Sequence, residues 1–528
     1  MCDIVLTADR TLMTEYRGAS ILGNVGCFPQ RLIPSMMRKI IFPRIVNNRA
    51  TYALRKVEAK LIDEGFSVQI IPPQEISKIK KIKPKVVGIS TVDPLTRKPQ
   101  SWTLTTLLGG GSSVIEHEFC HVLSLLHTLR RKNRFSIIVG GPGANEFETE
   151  KKYIDYFDSY VIGQAEGAVE LFHQAVQQKH LPKRYISRPV NADEYSLIMG
   201  PARLGHVQVT IGCPRKCQFC APCLNPWISI PKKRILHEVE TNLTHGLKQI
   251  SLISDDLLLY GAMETKVNHR QLIGLISSIY QLMKKYDVEW LNITDVSIAA
   301  AINGKKSIKQ ISDLLGFSKQ KPADPIVGME TASSNLIKKY MIGKADPYDP
   351  DHWSSLVKQG VDILNDYYWY PFLNLIIGLP GETENDVIQT IDLIDDLKQN
   401  KVYFSPFFFV PMQGTDLEGK DFFSSEELNQ RRWELLYSCW KHTIRSTRNL
   451  FLPVYFNVNQ ASNVSKHLKT RTARFLLEKL LDEIEKEIKK YRNDPIGLQK
   501  SFGALNIKNR DVIKLLTGRM MTSMIKDS

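Results

Sequence analysis

The sequence predicts an α/β protein in three stretches: a doubly wound parallel sheet, a partial (β/α)6 TIM-like barrel and a helical C-terminal region. Three observations predict it. Short apolar segments alternate with helix-periodic ones over residues 50–190 and again from Val207, the pattern of parallel sheets covered by helices. Several of these apolar segments hand over to loops of small residues, where such sheets bind ligands. Beyond Leu417 the alternation gives way to long helical patterns. A chain of 528 residues exceeds one compact core, and the expected divisions are 1–190, 191–417 and 418–528.

The elements follow in order. Ala53–Glu64 has helical spacing, and Gly65 turns the chain into a short strand, Ser67–Ile71. A second strand, Lys85–Thr91, ends in small polar residues. A helix is expected from about Ser112 to Arg131, then a strand Ser136–Val139 running into Gly140-Gly-Pro-Gly, and another, Ser159–Ile162, ending at Gly163-Gln-Ala-Glu-Gly. Residues 183–204 lack periodicity and carry Pro189 and Pro201, which reads as a linker. Six further strands are expected at Val207–Ile211, Gln249–Ser254, Glu289–Thr294, Ile326–Met329, Leu373–Gly378 and Phe404–Phe409. Six strand–helix units make a partial barrel, with chemistry at the C-terminal ends of its strands. Ser424–Arg448 and Thr472–Tyr491 read as helices, the first starting with acids in its first turn.

Lys and Arg total 70 against 55 Asp and Glu, a formal charge of +15. The clusters Lys78–Lys85, Arg130–Arg134 and Lys486–Arg492 read as solvated faces. The start, Met1-Cys-Asp-Ile-Val-Leu-Thr, lacks a basic segment followed by a long apolar one, so no secretory signal is expected. No apolar run reaches the length of a membrane helix, and a cytoplasmic protein is expected.

Chemistry enters with the cysteines. Four of eight lie within eleven residues, which in a chain read as cytoplasmic points to a metal site rather than disulfides. Thr210-Ile-Gly-Cys-Pro-Arg-Lys-Cys-Gln-Phe-Cys sets Cys213, Cys217 and Cys220 at C-x3-C-x2-C directly after a strand. Three thiolates on a 4Fe–4S cluster leave one iron open to a ligand. A zinc site closed by Cys223 is the rival, although the paired knuckles of a zinc ribbon are missing.

At these residues the chain resembles the radical S-adenosylmethionine enzymes, whose signature is this spacing after the first barrel strand, with an aromatic residue where Phe219 stands. The resemblance implies that the open iron chelates S-adenosylmethionine and that an electron from the cluster yields a 5′-deoxyadenosyl radical. It implies S-adenosylmethionine contacts from Asp255 in Ser254-Asp-Asp, and from Glu330 and Thr331 in Gly328-Met-Glu-Thr. A helix cap explains Asp255 and Asp256 equally well. Gly378-Leu-Pro-Gly-Glu-Thr and Pro411-Met-Gln-Gly-Thr-Asp-Leu resemble the family's segments after the fifth and sixth strands.

Val87-Gly-Ile-Ser-Thr, Val139-Gly-Gly-Pro-Gly and Val161-Ile-Gly are similar to the Rossmann-like cobalamin-binding domains that precede many such barrels. The resemblance implies that Gly88, Ser90, Thr91, Gly140, Gly141 and Gly163 line cobalamin. The Asp-x-His-x-x-Gly motif that supplies a cobalt ligand in many cobalamin domains is missing, and an unliganded flavodoxin-like module is the rival. His117-Glu-Phe-Cys-His121 matches the zinc-protease pattern H-E-x-x-H, but it is expected on a crossover helix of this domain.

The resemblance covers residues 50–417 and implies a methyltransferase acting on an unactivated carbon, with a methyl group passing by way of cobalamin. Ring formation or rearrangement, for example on a lipid, is the first alternative. A non-catalytic cofactor sensor is the second. Methylthiolation of tRNA is disfavoured because Cys2, Cys27 and Cys120 are scattered and the C-terminal region reads helical. The expected partners are a protein, lipid or small-molecule substrate and an electron donor such as ferredoxin or flavodoxin, in an anaerobic setting. Nucleic acid is not expected.

Overall fold

In the computed structural model of the chain, residues 2–15, 20–43, 49–190, 194–288 and 290–455 are described, with parts of 474–508. Glu289 and much of the first half of the expected helix Thr472–Tyr491 lie outside them. The chain divides into two compact units, Met1–Leu204 with Gln499–Ser528, and Gly205–Leu498. The sequence reading set its divisions at 190 and 417 instead.

The first unit carries a six-stranded sheet. Its strands are β1 (Ile4–Ala8), β2 (Val68–Ile70), β3 (Val86–Ser90), β4 (Ser136–Gly140), β5 (Ser159–Ile162) and β6 (Arg184–Ile186), in the order β2-β1-β3-β4-β5-β6. Every pairing is parallel. Helices α1 (Tyr52–Asp63), α2 (Pro99–Leu107), α3 (Val114–Arg130) and α4 (Val169–Val176) connect the strands. Strand alternation sorts the side chains onto two faces. Val5, Val87, Ile89, Ile137 and Val139 share a core with Phe119, Val122, Leu123 and Leu126 of α3. Ile4, Leu6, Val86, Ile138 and Val161 share another with Leu54 and Leu61 of α1 and Leu171 and Phe172 of α4. Helices on both faces of a parallel sheet in this order place the strand-order reversal between β1 and β3, the switch point at which such folds take ligands.

Two readings are corrected here. The first 45 residues, left unassigned, supply β1, an interior strand whose five residues are all buried. Residues 184–186, read as linker, form the edge strand β6. Edge strands are short and half-exposed, so Arg184-Tyr-Ile carries no apolar signal. Near the C-terminus, Gln499 Nε2 donates to Thr106 O at 3.1 Å and Ile507 N donates to Arg31 O at 3.1 Å, so these residues pack within the first unit.

The second unit carries β7 (His206–Gln208), β8 (Gln249–Ile253), β9 (Trp290–Ile293), β10 (Asp295–Val296), β11 (Ile326–Glu330), β12 (Phe372–Ile377) and β13 (Tyr403–Phe408). They form two parallel sheets, β9-β8-β7 and β10-β11-β12-β13. Only Thr294 separates β9 from β10, and its hydroxyl donates to Leu252 O at 3.0 Å. The six expected strand positions therefore follow one another in parallel. Trp369 and Tyr370 of the aromatic run are core residues at 0% and 2% exposure, and Trp369 Nε1 donates to Ser312 Oγ at 2.8 Å. Ser424 opens its segment with a capping box, and the helix proper is Gln430–Ser446. Among the described residues, no helix is long and apolar enough to cross a membrane.

Candidate functional site: the cysteine loop

The strand β7 brings the chain to Thr210–Ile211, which pairs antiparallel with Ile228–Ser229. This short ribbon brackets the cysteine loop. Gly212 turns it with φ +76, and a Cβ there would stand 2.5 Å from Pro226 O, so a side chain is excluded by both backbone conformation and space. Within the loop, the Cys223 thiol lies within hydrogen-bonding reach of the thiols of Cys213, Cys217 and Cys220. The Cys213 thiol is pulled down, first by its contact with Cys223. Cys217 is pushed up, first by Cys223 and then by burial. Among the described residues, no three His, Cys, Asp or Glu side chains are grouped as around a single metal ion. Cys223 is the neighbour that the thiols of Cys213, Cys217 and Cys220 share. Three soft ligands on one tight turn fit an iron–sulfur cluster. Phe219 is half-buried in the same loop.

A second layer holds the loop. Arg215, 3% exposed, donates from Nη1 to the carbonyls of Gly343, Lys344 and Asp346 at 3.1, 3.1 and 3.2 Å. Its own carbonyl accepts from Gly343 N at 3.1 Å, and Gln218 N donates to Tyr340 O at 2.9 Å. Its Nη2 stands 3.6 Å from Asp256 Oδ2. The cysteine loop and residues 340–346 are thereby stitched together.

The carboxylates divide by role. Asp255 lies exposed at the end of β8, yet the protein around it and the neighbouring Asp256 raise its carboxyl to about 6, while it accepts from Gly212 N. It therefore caps the start of the cysteine loop. Asp256 is buried, accepts from Ser297 Oγ and faces Arg215. Asp295 is pushed to about 7 by burial, with Asp255 and Asp256 adding to the shift. Three carboxyls thus gather at the ends of β8 and β9.

Glu330 and Thr331 part company. Glu330 sits at a break in the β11–β12 register with φ +65, and its Oε1 accepts from Lys344 Nζ at 2.7 Å. Lys344 in turn acts electrostatically on Cys217 and Cys220, so Glu330 belongs to the surroundings of the loop. Thr331 is 2% exposed, its hydroxyl 3.3 Å from Thr390 Oγ1 and its carbonyl accepting from Trp353 Nε1 at 2.8 Å, which is a packing role. Arg215, Lys344 and Asp295 were not singled out from the sequence. Arg215 lies inside the cysteine motif, where a basic residue next to ligands was the available signal. Lys344 and Asp295 had none.

In the first unit, register puts Ala8, Ser90 and Gly140 level across three strand ends. Ser90 and Thr91 are buried, and the Thr91 hydroxyl has no hydrogen-bond partner among the described residues. Gly141 has φ +100, and a Cβ there would stand 2.5 Å from Thr91 O. Gly88 lies inside β3, where a Cβ would meet Leu6 Cδ2 at 2.6 Å, so sheet packing accounts for it. Gly140 closes β4, and Gly163 follows β5 with Ser187 Oγ 2.5 Å from its Cβ position. The orphaned Thr91 hydroxyl at the switch point fits a ligand rich in amides, such as cobalamin. His117 and His121 lie on α3, His117 half-buried and His121 exposed. The intervening Glu118 instead faces Arg38 and Arg10 at 3.5 and 3.8 Å.

No family model matches the chain. It is 22% identical over 305 residues to the ribosomal protein uS12 methylthiotransferase RimO of Rhodopseudomonas palustris, 57% of this chain and 65% of that protein. It is 22% identical over 292 residues to the tRNA-2-methylthio-N(6)-dimethylallyladenosine synthase of Desulfosudis oleivorans, 52% of this chain and 57% of that one. The chain thus spans under two thirds of the length of these two relatives. Among solved structures, it is similar to the radical S-adenosylmethionine methyltransferase TsrM from Kitasatospora setae with cobalamin and a 4Fe-4S cluster bound, at 14% identity and a TM-score of 0.49, covering 78% of this chain and 74% of that one. The chain resembles, at these identities, enzymes named for methylthio transfer, and in its cysteine loop it resembles the radical S-adenosylmethionine enzymes.

Proposed function

We propose that the chain is a radical S-adenosylmethionine enzyme that also binds cobalamin and transfers a methyl group to an unactivated carbon. The observation that supports this reading is the placement of Cys213, Cys217 and Cys220 in one tight loop after the first strand of the second unit, each against Cys223. These three thiolates would hold a 4Fe–4S cluster, which when bound supplies the electron that cleaves S-adenosylmethionine. Asp255 at the loop's start and Glu330 beside it would face S-adenosylmethionine, with Phe219 packing against the cluster. In the first unit, Ser90, Thr91, Gly140, Gly141 and Gly163 would line cobalamin, a carrier of methyl groups. The 2-1-3-4-5-6 strand order and the Thr91 hydroxyl, unpartnered among the described residues, support that part.

Methylthio transfer is the second reading, favoured by the names of the sequence relatives. Against it, the remaining N-terminal cysteines lie apart. Cys2 Sγ lies 3.1 Å from Ile4 O at the start of β1, Cys27 is buried near Asp93, and Cys120 sits on α3 beside Tyr153.

The test is anaerobic reconstitution with iron, sulfide and cobalamin, followed by incubation with dithionite and S-adenosylmethionine. Methyl transfer predicts 5′-deoxyadenosine together with cobalamin-dependent S-adenosylhomocysteine. Deoxyadenosine without S-adenosylhomocysteine, in the presence of substrate, would favour rearrangement. No deoxyadenosine from iron-loaded protein would sink the reading.

A further inference from the structure

A lysine buried beside the cysteine loop has no role in the reading above. Lys344 is 8% exposed, and its ammonium is held by Glu330 Oε1 at 2.7 Å. Burying a charge is tolerated when it is paired, so the pair itself is unremarkable. Its address is not. Five backbone and guanidinium hydrogen bonds between residues 215–218 and 340–346 fix Lys344 to the cysteine loop. The pair also lies directly over Gly328, where a Cβ would stand 2.2 Å from Glu330 Oε1 and 2.5 Å from Lys344 Nζ. Glu330 reaches this position through a left-handed backbone at a strand irregularity, a conformation that costs energy and persists where the surroundings impose it.

The two ends of the pair act on the thiols with opposite sign. At Cys217 the pull of Lys344 outweighs the opposing push of Glu330, and Lys344 also acts on Cys220. A buried ammonium is thus fixed beside the loop, in a region that water screens poorly. Reduction of a cluster held by thiolates adds one negative charge, and a fixed cation nearby favours the more negative state.

We propose that the Lys344 ammonium, held by Glu330 and by the loop that Arg215 secures, raises the reduction potential of the cluster bound by Cys213, Cys217 and Cys220. Lys344 is thus a tuning residue and touches no reacting atom. The proposal rests on the cysteine loop holding a 4Fe–4S cluster.

The test is a redox titration of the reconstituted protein without S-adenosylmethionine, following the EPR signal of the reduced cluster. The double variant Lys344→Met/Glu330→Gln replaces the pair with neutral groups of similar size. It is expected to lower the ratio of reduced to oxidised cluster at a fixed potential about tenfold, a midpoint about 59 mV lower for one electron. Lys344→Arg, which keeps the charge, is expected to titrate close to wild type. A cluster-loaded double variant whose midpoint matches wild type would overturn the proposal, as would a Lys344→Arg midpoint as low as that of the double variant. If the double variant takes up no cluster, Glu330→Gln alone decides: removing the opposing carboxylate is expected to raise the midpoint, and no change or a fall overturns the proposal. A wild-type protein that takes up iron without a 4Fe–4S signal would overturn the cysteine-loop reading and this proposal together. A normal signal with an unmoved midpoint overturns this proposal alone.

Discussion

The strand ends of the two units are built differently. In the first unit they are bare backbone turns: Gly141 and Gly163 have positive φ, and their Cβ positions are blocked by Thr91 O and Ser187 Oγ. In the second they are crowded with polar side chains: four thiols, three carboxyls, a buried arginine and a buried lysine. Small residues at a strand end have two explanations, ligand approach and chain packing, and geometry supplies the second without help. Clustered thiols and carboxyls at a strand end have no comparable packing reason, because burying them costs energy. The second unit therefore speaks about chemistry more directly than the first.

The largest expected effect is at Cys217. Cys217→Ala should abolish 5′-deoxyadenosine formation and lower bound iron several-fold, measured by product chromatography and iron assay on anaerobically reconstituted protein. Retained activity would erase the contrast between the two units.

Two glycines sharpen it. Gly212→Ala and Gly141→Ala each place a Cβ 2.5 Å from a backbone carbonyl at positive φ, so each should cost roughly 1–3 kcal/mol of stability in denaturant titration. Their second readouts should separate. Gly212→Ala should impair cluster uptake, and Gly141→Ala should leave the cluster intact.

Thr91 tests the first unit on its own. Its hydroxyl is buried and unpartnered, so Thr91→Val should leave the apo-protein as stable or stabilise it by about 1 kcal/mol. If the hydroxyl serves cobalamin, the same change should weaken cobalamin binding several-fold in an absorbance titration. Unchanged binding would leave the strand ends of the first unit with packing roles alone.

A subtler effect lies at the opposite ends of the strands in the second unit. Burial raises the carboxyl of Asp324 to about 6, and it accepts from Tyr455 OH at 2.6 Å. A carboxyl whose pKa is higher folded than unfolded favours the folded state most below the unfolded value of 3.8, and that advantage is lost as pH rises through about 6. Wild type should lose stability relative to Asp324→Asn between about pH 4 and pH 6, read as Tm against pH. Parallel curves would show that Asp324 is not perturbed. The smallest effect is expected at His121→Ala, an exposed change on α3 worth under about 0.5 kcal/mol and without influence on bound metal.

Much of this was legible in the sequence. Strands such as Ser159–Ile162 and Gln249–Ile253 stand out because buried parallel strands are short apolar runs between helical patterns. The cysteine loop is legible because its spacing is local. What escaped was of two kinds. β1 is as apolar as its neighbours, but Ile4-Val-Leu-Thr-Ala matches no family segment that would mark it. Arg215, Lys344 and Asp295 act through contacts between distant segments, and Lys344 meets Glu330 only because the Arg215 hydrogen bonds bring its loop to the cysteines. No local pattern announces a contact made by folding. Thr331, next to Glu330 in sequence, turns inward to Thr390, at a strand end where Glu330 has a left-handed backbone and the register breaks.

The central claim is an iron–sulfur cluster held by three thiolates with one iron left open, although Cys223 lies against all three. The direct measurement is metal content and EPR of anaerobically reconstituted Cys223→Ala beside Cys217→Ala, each with and without S-adenosylmethionine. The account predicts that Cys223→Ala keeps a 4Fe–4S signal that shifts when S-adenosylmethionine binds, whereas Cys217→Ala loses it. Loss of metal in Cys223→Ala, or one zinc per chain in place of iron, would mean a closed four-thiolate site and contradict it.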